Sequence, residues 1–312
     1  MSLKVILVSL FVTYIACQAG PVSQFTNKVV LLTGGSTGIG YETAKELAGL
    51  GAHVVFCARD SHPTWYNGSH AEKTINDNFL TKAAGGSATF FKADIRNSTQ
   101  IRHFIAFTHK KFGRIDYAVN NAGIGGWVKN IDELEDDMIL GEHDSILNNL
   151  YGVLNLLRYE VRYFKRHGNP NATYSIVNMA SFNGIRACAG CSLYAASKHG
   201  IIGLTQSVAI ENINSHPKIR VNAVAPGYVN TELTRNQAKA DKGEQIWEGE
   251  NITEDSEEWK KFKASMEKTL VGGRIAEQRE ISKAIIGLLD ERASYVSGVT
   301  LSMDNGLTAA NS

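Results

Sequence analysis

The chain has 312 residues, 43% of them hydrophobic, which is enough to bury a sizeable core in one α/β domain. Lys and Arg number 32 against 31 Asp and Glu, so no strong field of either sign is available for nucleic acid or for an anionic membrane surface. Both partners are disfavoured.

The chain begins differently from the rest. Lys4 precedes the apolar run Val5 to Cys17, then small residues Ala19 and Gly20 and polar Ser23 and Gln24, the pattern of a secretory signal peptide over residues 1–19 cleaved after Ala19. A spanning helix needs about 20 apolar residues, and this run is shorter and broken by Ser9 and Thr13. An uncleaved anchor is the alternative. Sequons at Asn67, Asn97, Asn171 and Asn251 lie in polar stretches and agree with passage through the secretory pathway, with export as a glycoprotein or retention in the lumen of the endoplasmic reticulum. Loss of the leader removes Cys17 and leaves Cys57, Cys188 and Cys191, an odd set that builds no disulfide framework. With no second pair or His cluster to make a zinc site, Cys188 and Cys191 are expected to be packed small residues, a local disulfide being the alternative.

From Val29 the pattern alternates. Val29 to Leu32 reads as a strand, Thr33-Gly34-Gly35-Ser36-Thr37-Gly38-Ile39-Gly40 as a glycine turn, and Tyr41 to Leu50 as a helix stopped by Gly51. Glycines at such a turn let backbone approach phosphates, and the following helix presents free N–H groups and its positive dipole end to them. A dinucleotide site is the expectation. Strands then follow at 53–57, 88–93, 115–119, 174–179 and 219–225, interleaved with helices at 71–84, 99–112, 144–166 and 194–213. Alternation of this kind gives right-handed crossovers and a doubly wound, Rossmann-type parallel β-sheet with helices on both faces, a single domain over 20–312. The segment 230–270 interrupts the rhythm, being strongly charged between Asp241 and Lys263 with Trp247 and Trp259 among acids. It reads either as a solvated helical flap or as a mobile lid over substrate. A helix at 280–290 and a strand near 300–303 close the chain.

The chemistry is carried further along. Tyr194 and Lys198 are four apart at a helix start, so both side chains lie on one face. A free tyrosine titrates near ~10, and a neighbouring ammonium favours its phenolate. Ser181 lies just past the end of a strand, where open parallel sheets bind their ligands, so it converges with the pair and with the glycine turn.

With Asn120-Asn121-Ala122-Gly123 after the fourth strand and Pro226-Gly227 after the sixth, the chain resembles the classical short-chain dehydrogenase/reductase family from Lys28 to Gly306. The resemblance implies an enzyme that moves a hydride between a nicotinamide and a carbonyl or alcohol carbon. It implies that Ser181 orients the substrate oxygen, Tyr194 exchanges its proton, Lys198 lowers the tyrosine's pKa and binds the nicotinamide ribose, and a helical asparagine supports a water relay. Asn149, three residues before Gly152, fits that asparagine, with Asn148 as the alternative. For the cofactor it implies phosphate contacts from Gly34, Ser36, Thr37, Gly38, Ile39 and Gly40, and adenine contacts from Asp94 and Ile95. Asn120, Asn121, Ala122 and Gly123 are expected along the adenosine side, with Pro226, Gly227, Val229 and Thr231 near the carboxamide. Relatives that use NAD place an acid at the end of the second strand, whereas here Ala58 is followed by Arg59, which suits a 2′-phosphate. NADP(H) is therefore favoured over NAD(H), although Thr37 stands where many such relatives add a second basic residue. Residues 124–128, 182–193 and 230–270 are expected to wall a pocket for a small, partly apolar substrate. A homo-oligomer is also implied by the resemblance. The competing reading is a secreted binding or matrix protein that keeps the fold without turnover.

Overall fold

The computed structural model describes residues 23–59, 67–141, 143–240 and 253–310. The proposed leader, Trp247 and the Asn251 sequon lie outside them. Seven strands, β1 (Val29–Thr33), β2 (His53–Ala58), β3 (Ser87–Lys92), β4 (Tyr117–Asn120), β5 (Thr173–Met179), β6 (Lys218–Pro226) and β7 (Thr300–Met303), form one sheet. Its order is β3-β2-β1-β4-β5-β6-β7, and every pairing is parallel.

The central strands β1 and β2 are largely apolar buried runs because both sheet faces are covered there, whereas the edge strand β7 is part-exposed. Helices α1 (Gly38–Gly49) and α10 (Gln278–Leu289) pack on one face through Ala44, Leu47, Ile281 and Ile285. Helices α4 (Ser98–Phe112), α6 (Gly152–His167) and α7 (Ser192–Asn212) cover the other through Ile101, Phe104, Leu156, Phe164 and Ile201. Local signals set their ends. Asn97 starts α4 by accepting from the backbone N–H groups of Thr99 and Gln100, and Gly113 stops it in the left-handed region at φ +73°.

The chain winds outward from β1 in one direction and from β4 in the other. The reversal opens a crevice between the carboxyl ends of β1 and β4, where Thr33 pairs in register with Asn120. This crevice places the glycine turn opposite the loop that follows β4.

Four expectations are corrected. The helix expected at 71–84 is two, α2 (Gly68–Asp77) and α3 (Phe79–Ala84), because the Asn78 side chain accepts from Leu80 N–H at 2.9 Å and begins a new helix. The helix expected from Asp144 begins as a π-helical turn, Ile146–Tyr151, after the short α5 (Asp136–Leu140). The segment 230–270 contributes α8 (Glu232–Ala240) and α9 (Glu257–Thr269). It is not simply solvated, since Trp259 is only 2% exposed and forms a small core with Met266 and Ile275. Cys188 and Cys191 form a disulfide and are not merely packed.

Candidate active site

The glycine turn is fixed by close approach. Gly34 has φ +70°, and a Cβ there would lie 2.9 Å from the Ala122 Cα. A Cβ on Gly40 would overlap the Gly34 carbonyl oxygen. Only glycine therefore permits β1, α1 and the loop after β4 to meet. Thr33 completes the junction, its hydroxyl accepting from Asn121 and Ala122 N–H groups at 3.1 Å each. The Asn121 side chain donates to the carbonyls of Thr33 and Gly34 at 3.1 and 3.2 Å. Thr37 is the residue before α1, and its side chain makes no capping bond, so the first-turn N–H groups of α1 face the cleft uncapped. A cavity of about 320 Å³ opens there, lined by Ser36, Thr37, Gly38, Tyr41, His70 and Glu232 among others. The uncapped start of α1 beside it suits an anionic diphosphate.

Arg59 stands half-buried at the end of β2. Nearby, Asp94 is held by Arg96 through bonds of 2.9 and 2.6 Å. Burial raises the Asp94 pKa, but those bonds and the charges of Arg96 and Arg59 outweigh it, and the net direction is down. Ile95 is buried and packs against Gly152 of α6. Asn120 departs from its expected place. Its side chain turns into the core, where its amide nitrogen donates to Glu160 at 3.0 Å and to Asn178 at 2.9 Å.

Ser181, Tyr194, Lys198 and Asn149 come together beyond β4 and β5. Ser181 is 6% exposed, accepts from Asn183 N–H at 3.2 Å and lies near enough to the Tyr194 phenol to favour its ionised form. Lys198 is 3% exposed, donates from Nζ to the Met179 carbonyl at 2.9 Å, and has that nitrogen 5.5 Å from the Tyr194 ring centroid. Burial pushes the Lys198 ammonium down to about 8. Burial likewise raises the Tyr194 phenol, and Ser181 only partly opposes it. The expected lowering of the tyrosine by Lys198 is thus not what the free chain displays, because desolvation dominates.

Asn149 is fully buried in the π-helical turn. Its Oδ1 accepts from Ile124 N–H at 2.8 Å, and its Nδ2 donates to the Ile124 carbonyl at 2.9 Å and the Ser197 hydroxyl at 3.2 Å. It therefore clamps the loop after β4 to α7. Asn148 instead donates to the Asp144 carbonyl within its own turn. Pro226 ends β6 and Gly227 and Val229 follow it, Val229 bridging Ala276, and Thr231 is buried with its hydroxyl 3.2 Å from that of Thr234.

The model of the short chain dehydrogenase family matches residues 28–242. The chain belongs to that family. It is accordingly an oxidoreductase that acts on CH–OH or C=O groups with a nicotinamide cofactor. The chain is 33% identical over 293 residues to levodione reductase of Leifsonia aquatica, covering 94% of this chain and 98% of that one. It is 31% identical over 286 residues to a 3beta-hydroxysteroid dehydrogenase of Mediterraneibacter gnavus, covering 91% and 96%. Among solved structures, that of levodione reductase superimposes with a TM-score of 0.75 at 30% identity over 92% of this chain and all of that one. ElxO with NADP bound gives 0.71 at 27% over 90% and 99%.

The sequence did not single out Arg235. It is 6% exposed and donates to Asn230 Oδ1 at 2.9 Å and to Glu254 at 3.1 Å, with Glu232 3.3 Å away. Glu232 lies against the α1 start, its Oε2 3.6 Å from where a Gly38 Cβ would be. An acid there opposes an anionic ligand unless Arg235 neutralises it. A basic residue one turn after Thr231 was the available signal.

Proposed function

We propose that this enzyme is an NADP(H)-dependent carbonyl reductase or alcohol dehydrogenase in which Tyr194 exchanges the proton. The observation that carries the reading is the convergence of buried Ser181, Lys198 and Asn149 with half-buried Tyr194 at the strand ends beside the glycine turn. When bound, the nicotinamide supplies or accepts the hydride. Residues 34–40 would hold its diphosphate, Arg59 the 2′-phosphate, Asp94 and Ile95 the adenine side, and Asn121, Ala122 and Gly123 the adenosine. Lys198 would hold the nicotinamide ribose, and Pro226, Gly227, Val229 and Thr231 the carboxamide end.

A raised pKa keeps the Tyr194 phenol protonated at neutral pH, which suits a donor to the oxygen of a carbonyl being reduced. Ser181 holds that same oxygen through its hydroxyl. Lys198, charged below about pH 8, faces the phenol ring and stabilises negative charge as the proton leaves. Asn149 keeps the loop after β4 at the distance this arrangement needs.

The adjacent walls favour a partly apolar substrate. Phe182 and Tyr228 have ring centroids 5.3 Å apart beside Ser181, and Trp127 is half-buried in the loop after β4. Exposed Ile210 and Ile213 on and just after α7, with Tyr295 and Leu301 near the open β7 edge, support self-association. The leader, the exposed Asn97 and Asn171 sequons and the disulfide support a secretory-pathway location for the glycosylated chain. Among the described residues no helix is long and apolar enough to cross a membrane.

The test is titration with NADPH and NADH by nicotinamide fluorescence, then a panel of cyclic ketones, steroids, retinoids and sugars. Tighter NADPH binding with turnover of one carbonyl class supports the reading. Equal binding of the two nucleotides would overturn the NADP(H) preference, and turnover unchanged in Tyr194→Phe would overturn the proton donor.

A further inference from the structure

Between Ser181 and Tyr194 the chain carries Cys188-Ala189-Gly190-Cys191, closed by the disulfide with the two Cα atoms 5.7 Å apart. The two sulfurs differ in access. Cys188 lies in the exposed stretch 185–189. Cys191 is 7% exposed and caps the start of α7, three positions before Tyr194. Its carbonyl accepts from Ala195 N–H at 2.8 Å, so the bridge is fastened to the first turn of the helix that carries Tyr194 and Lys198. On the other side, Lys129 N–H donates to the Gly190 carbonyl at 2.8 Å, and Lys129 pairs with Cys191. The disulfide therefore joins the loop after β4, the stretch following Ser181 and the start of α7. Cys57, by contrast, is wholly buried in β2, and burial pushes its thiol up, away from the reactive anion.

We propose that Cys188–Cys191 is a thiol–disulfide exchange site for a low-molecular-weight thiol, and that its state sets the pocket wall between Ser181 and Tyr194. An external thiolate attacks the exposed Cys188 sulfur, forming a mixed disulfide as the Cys188–Cys191 bond breaks. The electron pair leaves on Cys191 Sγ, at the N-terminus of α7, where the helix dipole favours an anion. A second external thiol attacks the mixed disulfide and releases Cys188. In balance, two external thiols become one disulfide and their two protons end on Cys188 and Cys191. Closing the bridge orders the loop, and opening it releases the ordering. The full ordering of so short a ring corresponds to a change of the order of tenfold in the population of the closed wall.

The exchange chemistry stands independently of the catalytic assignment, while its effect on turnover rests on the Tyr194 reading. The experiment takes the full chain equilibrated across ratios of reduced to oxidised glutathione and makes three measurements. Alkylation with iodoacetamide followed by mass spectrometry reports which cysteines are free. Limited trypsin cleavage after exposed Arg186 reports the loop. NADPH oxidation with the best carbonyl reports KM and kcat. The expected result is joint appearance of alkylated Cys188 and Cys191 with Cys57 protected, faster cleavage after Arg186, and a KM rise of the order of tenfold, all reversed by oxidised glutathione. The double variant Cys188→Ser with Cys191→Ser should sit at the reduced-state values and ignore the glutathione ratio. Both cysteines free in oxidised glutathione would overturn the site. A bridge that opens and closes with cleavage and KM unchanged would overturn its control of the wall. Absence of turnover at every ratio would defeat the catalytic reading alone, since alkylation and Arg186 cleavage still decide the exchange.

Discussion

Replacing Glu160 by Gln removes the one carboxylate that α6 pushes into the sheet, and its effect on stability has a definite sign with pH. Glu160 is 1% exposed, and burial raises its pKa to about 7, against an ordinary 4.5, with the Asn120 hydrogen bond opposing the rise. A raised carboxyl pKa means that the folded chain holds a proton the unfolded chain has lost. Stability is therefore fully present below about pH 4.5 and falls as pH rises toward about 7. The difference of about 2.5 pH units corresponds to about 3 kcal/mol lost across that window. In Glu160→Gln the carboxamide oxygen still accepts from Asn120 and has no charge to desolvate. Urea midpoints measured for both proteins at pH 5, 6, 7 and 8 isolate this group, because every other titration cancels in the difference. The variant should gain on the parent as pH rises, with equal m-values, until the gain levels near pH 8. A difference that stays constant, or one that grows toward pH 5, would refute the buried-carboxylate argument.

Four further outcomes follow from the site. Tyr194→Phe should lower turnover by roughly 10²-fold or more while leaving nucleotide fluorescence titration unchanged; unaltered kcat removes Tyr194 as donor. Arg59→Ala should weaken NADPH by about 1.5–3 kcal/mol, the range for a charge-assisted bond, and leave NADH nearly untouched; equal losses would exclude the 2′-phosphate contact. Arg235→Met should instead weaken both nucleotides alike, because Glu232 is then unneutralised beside the α1 start; a loss confined to NADPH would refute that placement. Since burial brings the Lys198 ammonium down to about 8, reduction should slow as pH rises through that value, and a rate that is flat between pH 7 and 9.5 would remove the charged lysine from the mechanism.

Strands such as β1 and β2 were legible because each is a mostly apolar run bounded by glycine or polar punctuation, and burial on both faces demands such runs. The glycine turn was legible for a different reason. At Gly34 and Gly40 the space available admits no Cβ, so residue identity reports geometry directly. Tyr194 and Lys198 were legible through helical spacing, and Ser181 through its place at a strand end. The split at Asn78 was missed because the residue looks ordinary inside an amphipathic stretch, and only its bond to Leu80 N–H reveals a cap. The disulfide stood only as the alternative because two cysteines three apart fit packing as well as bonding until the turn between them is known.

The polar interior was the least legible part, and the reason is physical. Arg220 lies between Ile219 and Val221 in β6, a strand that also carries Lys218 and Asn222, yet it is 1% exposed. Its guanidinium donates to the carbonyls of Leu288, Leu289, Asp290 and Val296, closing the C-terminus of α10 from 68 or more residues away. No local pattern encodes such a partner, because the unsatisfied carbonyls arise only once the helix is docked. Asn120 follows the same logic. Its motif suggested a ligand-facing residue, but the core offered Glu160 and Asn178, and a buried carboxylate left without that amide would cost more than one lost contact in the cleft. A motif residue at a strand end thus has two competing claims on its side chain, the ligand and the core, and burial of the neighbouring acid decides between them. In this chain Asn121 brackets the cleft from its rim while Asn120 braces the sheet beneath, which lets the loop after β4 stay rigid enough for Asn149 to hold Ile124 through both of its backbone groups.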